Sequence, residues 1–123
     1  MHSPNFPQHR QRFNLKLPLR IWFRERTENR SQAKEGMVVE DTVTANIGSG
    51  GCYFYLRHAP VAGTDAEMEI TVPLAGVRGK ESKIRCWGKI LRVEEQPGGE
   101  KVGVASTIQQ YQIAAALKDR RAA

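Results

Sequence analysis

Val38-Val39-Glu40-Asp41-Thr42-Val43-Thr44-Ala45-Asn46-Ile47-Gly48-Ser49-Gly50-Gly51-Cys52-Tyr53-Phe54-Tyr55-Leu56 is the stretch on which the fold turns. Val39, Val43, Ala45 and Ile47 mark one face of a strand, with Val38, Thr42 and Thr44 on the other. The tetrad Gly48-Ser49-Gly50-Gly51 breaks that strand with a sharp turn. The chain then resumes as a strand with Cys52, Phe54 and Leu56 on one side and the rings of Tyr53 and Tyr55 on the other. Two strands joined by a glycine turn read as a hairpin, and the rest of the chain repeats the theme.

Upstream, Leu17, Leu19, Ile21 and Phe23 alternate with Pro18, Arg20, Trp22 and Arg24, a half-buried strand whose proline suits a beginning or an edge. Glu25 to Gly36 is polar and reads as a loop. Downstream, Met68, Ile70 and Val72 alternate with Glu67, Glu69 and Thr71 up to Pro73. A longer strand carries Ile84, Cys86, Gly88 and Ile90 in one phase and Leu91 and Val93 in the other, which predicts a bulge or bend near Gly88. Pro97-Gly98-Gly99 connects it to Lys101–Ile108 in a second hairpin. From Tyr111 and Ile113 through Ala114-Ala115-Ala116-Leu117 the residues are good helix formers, with Lys118, Arg120 and Arg121 where a helix C-terminus favours cations. Six short strands and a short C-terminal α-helix predict an all-β antiparallel barrel, with residues 1–14 as a flexible basic arm and 15–121 as one barrel domain.

Charge sits at the ends. The 123 residues hold 19 Lys and Arg against 13 Asp and Glu, a net +6. Residues 1–30 carry a net +5, residues 31–117 are close to neutral, and the tail from Lys118 adds +2. An arginine cluster on an arm suits a compact anionic ligand better than a long polyanion. No apolar run is long enough for a membrane-spanning helix, so no membrane insertion is expected. The start, Met1-His2-Ser3-Pro4-Asn5, has no basic stretch leading into an apolar one, so the expected location is the cytoplasm. Cys52 and Cys86 lie in apolar segments and read as buried thiols, and His2, His9 and His58 have no second ligand at metal spacing. No nucleophile with a base, carboxylate pair or phosphate-cradling strand-to-helix loop appears, so neither catalytic nor metal residues are assigned, no cofactor is implied, and binding is favoured over catalysis. Asp41, if inward, would need a cation beside it.

The turn can bind as well as reverse the chain. Asn46 carries a donor and an acceptor able to read a base edge, and Ser49 adds a hydroxyl. Guanidinium groups fork to phosphate and stack on purines, so Arg10 and Arg12 folding over the turn suit a guanine nucleotide.

The succession of these parts resembles the PilZ domain, a bacterial receptor module for cyclic di-GMP in second-messenger signalling. The likeness runs from about Arg10 to Ile113. It covers the arginine arm, Leu17-Pro18-Leu19-Arg20-Ile21, Thr44 to Phe54, Trp87-Gly88-Lys89-Ile90-Leu91-Arg92-Val93 and Val102-Gly103-Val104-Ala105. The resemblance implies a six-stranded barrel with a C-terminal helix and a ligand held by an Arg-x-x-x-Arg arm and an Asp/Asn-x-Ser-x-x-Gly turn. In the turn Asn46 and Gly51 match, Gly48 stands at the serine position, and Ser49 is one residue displaced. In the arm Arg12 pairs at that spacing with Gln8 or Lys16 rather than with arginine; Arg20/Arg24 and Arg26/Arg30 have the spacing but lie downstream. The ligand-binding set this implies is Arg10, Arg12, Lys16, Asn46, Gly48, Ser49 and Gly51, with a protein partner reading the liganded state. The alternative is an adaptor of the same fold that binds a protein without nucleotide, with Trp22, Tyr53 and Tyr55 as anchors. A basic barrel binding RNA ranks last.

Overall fold

The computed structural model describes residues 12–25, 36–73 and 79–113. They form eight strands: β1 Arg12–Phe13, β2 Pro18–Arg24, β3 Met37–Gly48, β4 Gly51–Leu56, β5 Asp65–Pro73, β6 Glu81–Glu95, β7 Val102–Thr107 and β8 Gln110–Ile113. Every pairing is antiparallel. The circuit β3-β2-β5-β6-β7-β4 closes through a β3–β4 pairing, so six strands make a barrel, while β1 adds to β3 and β8 adds to β6. Closure removes the unpaired edges that an open sheet of this size would expose.

Two long strands turn the corners. β3 pairs with β2 over its first half and with β4 from Thr44 onward, with a register shift between Thr44 and Asn46. β6 pairs with β5 and β8 over its first part and with β7 from Ile90 onward, shifting between Ile90 and Arg92. An extra residue at each shift, Ala45 and Leu91, bends the strand and lets it serve two sheets. The phase change in β6 is therefore at Leu91, which is exposed, and not near Gly88 as the sequence predicts. Gly88 has another role: a Cβ there would run into the Thr107 carbonyl oxygen, so only glycine lets β6 and β7 come this close.

The core follows the predicted alternation in β2, β4 and β5. Leu19, Ile21 and Phe23, then Cys52, Phe54 and Leu56, then Ala66, Met68 and Ile70 are buried, joined by Cys86, Ile90 and Val104. β3 is inverted relative to its apolar pattern. Val39 and Val43 are about half exposed, while the seam between β3 and the end of β4 is lined by the other phase. The reason is backbone accounting. On the N-terminal side of Thr44 the two strands do not pair, and the polar side chains of β3 supply bonds that the ladder does not make there. Thr42 Oγ1 donates to the Tyr55 carbonyl at 2.8 Å. Glu40 accepts from the Arg57 and His58 amides at 2.7 and 3.1 Å and pairs with His58 Nδ1 at 3.0 Å. Burial works against the Glu40 charge, but these donors outweigh it and hold the carboxyl below the usual glutamate range.

Asp41, whose direction the sequence leaves open, is exposed and pairs across the strand with Arg20, Nε to Oδ1 at 2.6 Å. One further expectation is corrected. Tyr111 and Ile113 do not open a helix but belong to β8, because the flank of β6 not covered by β7 offers backbone partners that outweigh helix propensity. The rest of the expected C-terminal helix, residues 114–121, lies outside the described residues.

Candidate functional site at the β3–β4 corner

The turn is tighter than the glycine tetrad implies. Gly48 pairs with Gly51, leaving Ser49 and Gly50 as the connection, and the Ile108 amide donates to the Gly50 carbonyl at 3.0 Å. The left-handed glycines of the described chain are Gly63, Gly79, Gly98 and Gly99, none of them in the tetrad. Gly51 is there for space instead. A Cβ on it would stand 2.6 Å from the Ser106 carbonyl oxygen of β7.

The Ala45 bulge decides where Asn46 points. In an unbroken strand Asn46 would share the phase of Thr44, which is fully buried and opposite the buried Phe54. One extra residue reverses that phase and puts Asn46 opposite Tyr53, on the outer face. Arg12 reaches the same place from the arm. It pairs through its backbone with Gly48, Phe13 pairs with Ile47, and Arg12 Nη1 donates to Asn46 Oδ1 at 3.1 Å.

Thr44 holds the root of that arm. Its hydroxyl accepts from the Leu17 amide at 2.9 Å and donates to the Leu15 carbonyl at 2.5 Å, while its own amide donates to the Leu17 carbonyl at 2.9 Å. A fully buried hydroxyl with both partners made is a fixed point, and it lies two residues before Asn46. Of the predicted set, the structure therefore brings together Arg12, Asn46 and Gly48. Ser49 is exposed at the turn, Lys16 is exposed on the connection between β1 and β2, and Gly51 is buried against β7. Arg10 lies outside the described residues. Thr44 was missed, and the only sequence signal for it was a threonine in the less apolar phase of β3.

The neighbouring thiols are not reactive groups. Burial, helped by Cys86, pushes Cys52 up to about 12 against the opposing charge of Arg12, and burial pushes Cys86 up to about 11. Cys52 instead packs its sulfur 3.9 Å from Met68 Sδ. Among the described residues no three His, Cys, Asp or Glu side chains gather as metal ligands, and no helix is long and apolar enough to cross a membrane. The aromatic anchors of the adaptor reading are partly covered. Arg85 lies 5.1 Å above the Trp22 ring, and Tyr53 donates to Glu94 Oε1 at 2.7 Å while meeting Tyr55 edge-on at 5.5 Å.

A closed six-stranded antiparallel barrel, cornered by bulges and with an arm strand docked beside the β3–β4 turn, is PilZ-like in fold. Among solved structures, the chain is similar to the Bacillus subtilis inhibitor of motility, MotI/DgrA, with a TM-score of 0.60 and 18% sequence identity over 91% of this chain and 46% of that one. The chain thus spans less than half the length of that neighbour, and at this identity the likeness shows the fold alone. No known family's sequence profile matches the chain, and no curated protein matches it.

Proposed function

We propose that this chain is a cyclic di-GMP receptor rather than an enzyme, binding the nucleotide where the arm meets the β3–β4 turn. The observation that carries this reading is the bond from Arg12 to Asn46 across 34 residues of sequence, at the corner where an anion-binding fork and a base-reading amide coincide. On this reading Asn46 recognises a guanine edge, Arg12 engages a phosphate or stacks on a base, and Arg10 and Lys16 add charge from the arm. The ligand tightens the N-terminal arm against the turn, to which Arg12 and Phe13 already pair, and so presents a new surface to a protein partner in second-messenger signalling. Gly48 contributes no hydroxyl, so affinity depends more heavily on the arm.

The second reading, an adaptor that binds a protein without nucleotide, draws on the same bond, since Asn46 Oδ1 already has a partner in Arg12. Titration calorimetry with cyclic di-GMP separates the two. The receptor reading expects saturable binding that weakens by roughly tenfold or more in Arg12→Ala and in Asn46→Ala, the size of one charge-assisted hydrogen bond lost. No heat from a folded wild-type chain at high ligand concentration leaves the adaptor.

A further inference from the structure

The bends in β3 and β6 divide the barrel wall into two sheets, and the candidate site lies on the one that holds β4 and β7. The other sheet joins the first parts of β3 and β6 to β2, β5 and β8, in the order β3-β2-β5-β6-β8. Its inner phase is core, with Leu19, Ile21, Met68, Ile70 and Cys86. Register sets its outer phase. One rank across the five strands reads Asp41, Arg20, Glu69, Arg85 and Gln112, and the next reads Val39, Trp22, Glu67, Trp87 and Gln110. Among the described residues no element crosses this face.

The charges of the face are paired within it. Arg20 forks Asp41 at 2.6 and 3.0 Å, while Arg85 donates to Glu67 and stands 3.6 Å from Glu69. What shows between them is apolar. Arg85 lies over the Trp22 ring, Trp87 is half-buried, and Val39 is about half exposed, as are Met37 and Val43 in the same phase of β3. Tryptophan and arginine beside exposed aliphatic side chains is the composition of an interface centre, not of a solvated sheet face.

The order of signs says what fits there. Asp41, Arg20, Glu69 and Arg85 run minus, plus, minus, plus, and that series read backwards is its own complement. A second copy turned about a two-fold axis along the strands, midway between β2 and β5, sets Asp41 of each copy against Arg85 of the other. It likewise sets Arg20 against Glu69 and Val39 against Trp87, every contact occurring twice. Facing sheets stack about 10 Å apart, a gap that long side chains from both sides fill. We propose that this face is where two copies of the chain meet. It measures roughly 20 by 20 Å, at the small end of specific interfaces, so dimerisation belongs to the micromolar range. The dimer is independent of the receptor reading, because the β3–β4 corner is on the other sheet.

The experiment is sedimentation equilibrium of the full chain across the micromolar range, with each variant checked for folding by thermal melting. Wild type is expected to pass from monomer to dimer as concentration rises. Arg20→Glu and Glu69→Arg each bring like charges face to face twice and are expected to weaken the dimer by about tenfold or more. An equimolar mixture of the two variants restores every opposition of sign and is expected to dimerise within about threefold of wild type. Should either charge variant fail to fold, Val39→Ser decides: it is expected to weaken the dimer by about tenfold, whereas Leu91→Ser, exposed but outside the face, leaves it unchanged. A monomer at every concentration overturns the proposal. So does a dimer that Arg20→Glu or Val39→Ser leaves intact, or a mixture that stays as weak as its components.

Discussion

β7 and the arm meet the same turn from opposite sides, and they are held in opposite ways. Against β7 the contacts are steric: Gly51 under the Ser106 carbonyl and Gly88 against the Thr107 carbonyl meet backbone, and Gly103 lies under the Tyr53 phenol. The two backbone contacts cannot be rearranged without moving a strand. On the arm side the attachments are a few hydrogen bonds, one from Arg12 to Asn46, two through the Thr44 hydroxyl and one from the Thr44 amide to the Leu17 carbonyl, besides a strand of two residues. Gly51, Gly88 and Gly103 thus belong to the scaffold, whereas the parts able to respond to a ligand are the few bonds on the other side. Stability and response are divided between the two flanks of one hairpin.

The contrast breaks first where the scaffold is tightest. Gly88→Ala forces a methyl into a backbone oxygen and is expected to cost about 3 kcal/mol or to prevent folding, read by urea unfolding. A Gly88→Ala protein as stable as the wild type contradicts the claim that close approach, and not chance, fixes this residue. Thr44→Val comes next. It keeps the shape but leaves the Leu15 carbonyl and Leu17 amide without their partner, an expected loss of about 1–3 kcal/mol. The arm-specific readout is faster cleavage by trypsin after Lys16, which Thr44→Ser should reverse and which Thr42→Val, remote from the arm, should not reproduce. Equal protection of Lys16 in the valine variant at residue 44 would show that the arm has another anchor.

The smallest effect is in acid. Glu40 has a lowered folded pKa, so its contribution to stability is full above the ordinary glutamate value near 4.5 and disappears as pH falls through the folded value below it. Glu40→Gln should therefore flatten the acid side of a stability-against-pH curve while changing little at neutral pH beyond the lost bonds to Arg57 and His58. An unchanged acid limb would mean that the seam beside β4 does not depend on that charge.

How far the chain could be read depended on whether one local pattern had one cause. β2, β4 and β5 were legible because apolar alternation and burial coincide along them. β3 was not, because its seam must supply hydrogen bonds, so Glu40, Thr42 and Thr44 lie along it and two valines face out. The β6 bulge was sensed from the phase change but misplaced, since Gly88 looks like the break and is in fact a point of close approach. Tyr111 to Ile113 carries no local mark of a strand; pairing with β6 decides it. For the site, Asn46 and Arg12 stood out by residue type, yet their contact depends on the Ala45 bulge, which no local signal at Ala45 announces. Thr44 was invisible for a simpler reason: threonine in a strand is ordinary, and only tertiary structure brings Leu15 and Leu17 to it.

Amide hydrogen exchange, followed by mass spectrometry with and without cyclic di-GMP, tests the central claim most directly. If the nucleotide is received where the arm meets the hairpin, added protection will be concentrated in peptides covering residues 12–17 and 46–53, with the β5 amides unchanged. Protection confined to other strands, or identical exchange in both samples at saturating nucleotide, would contradict it.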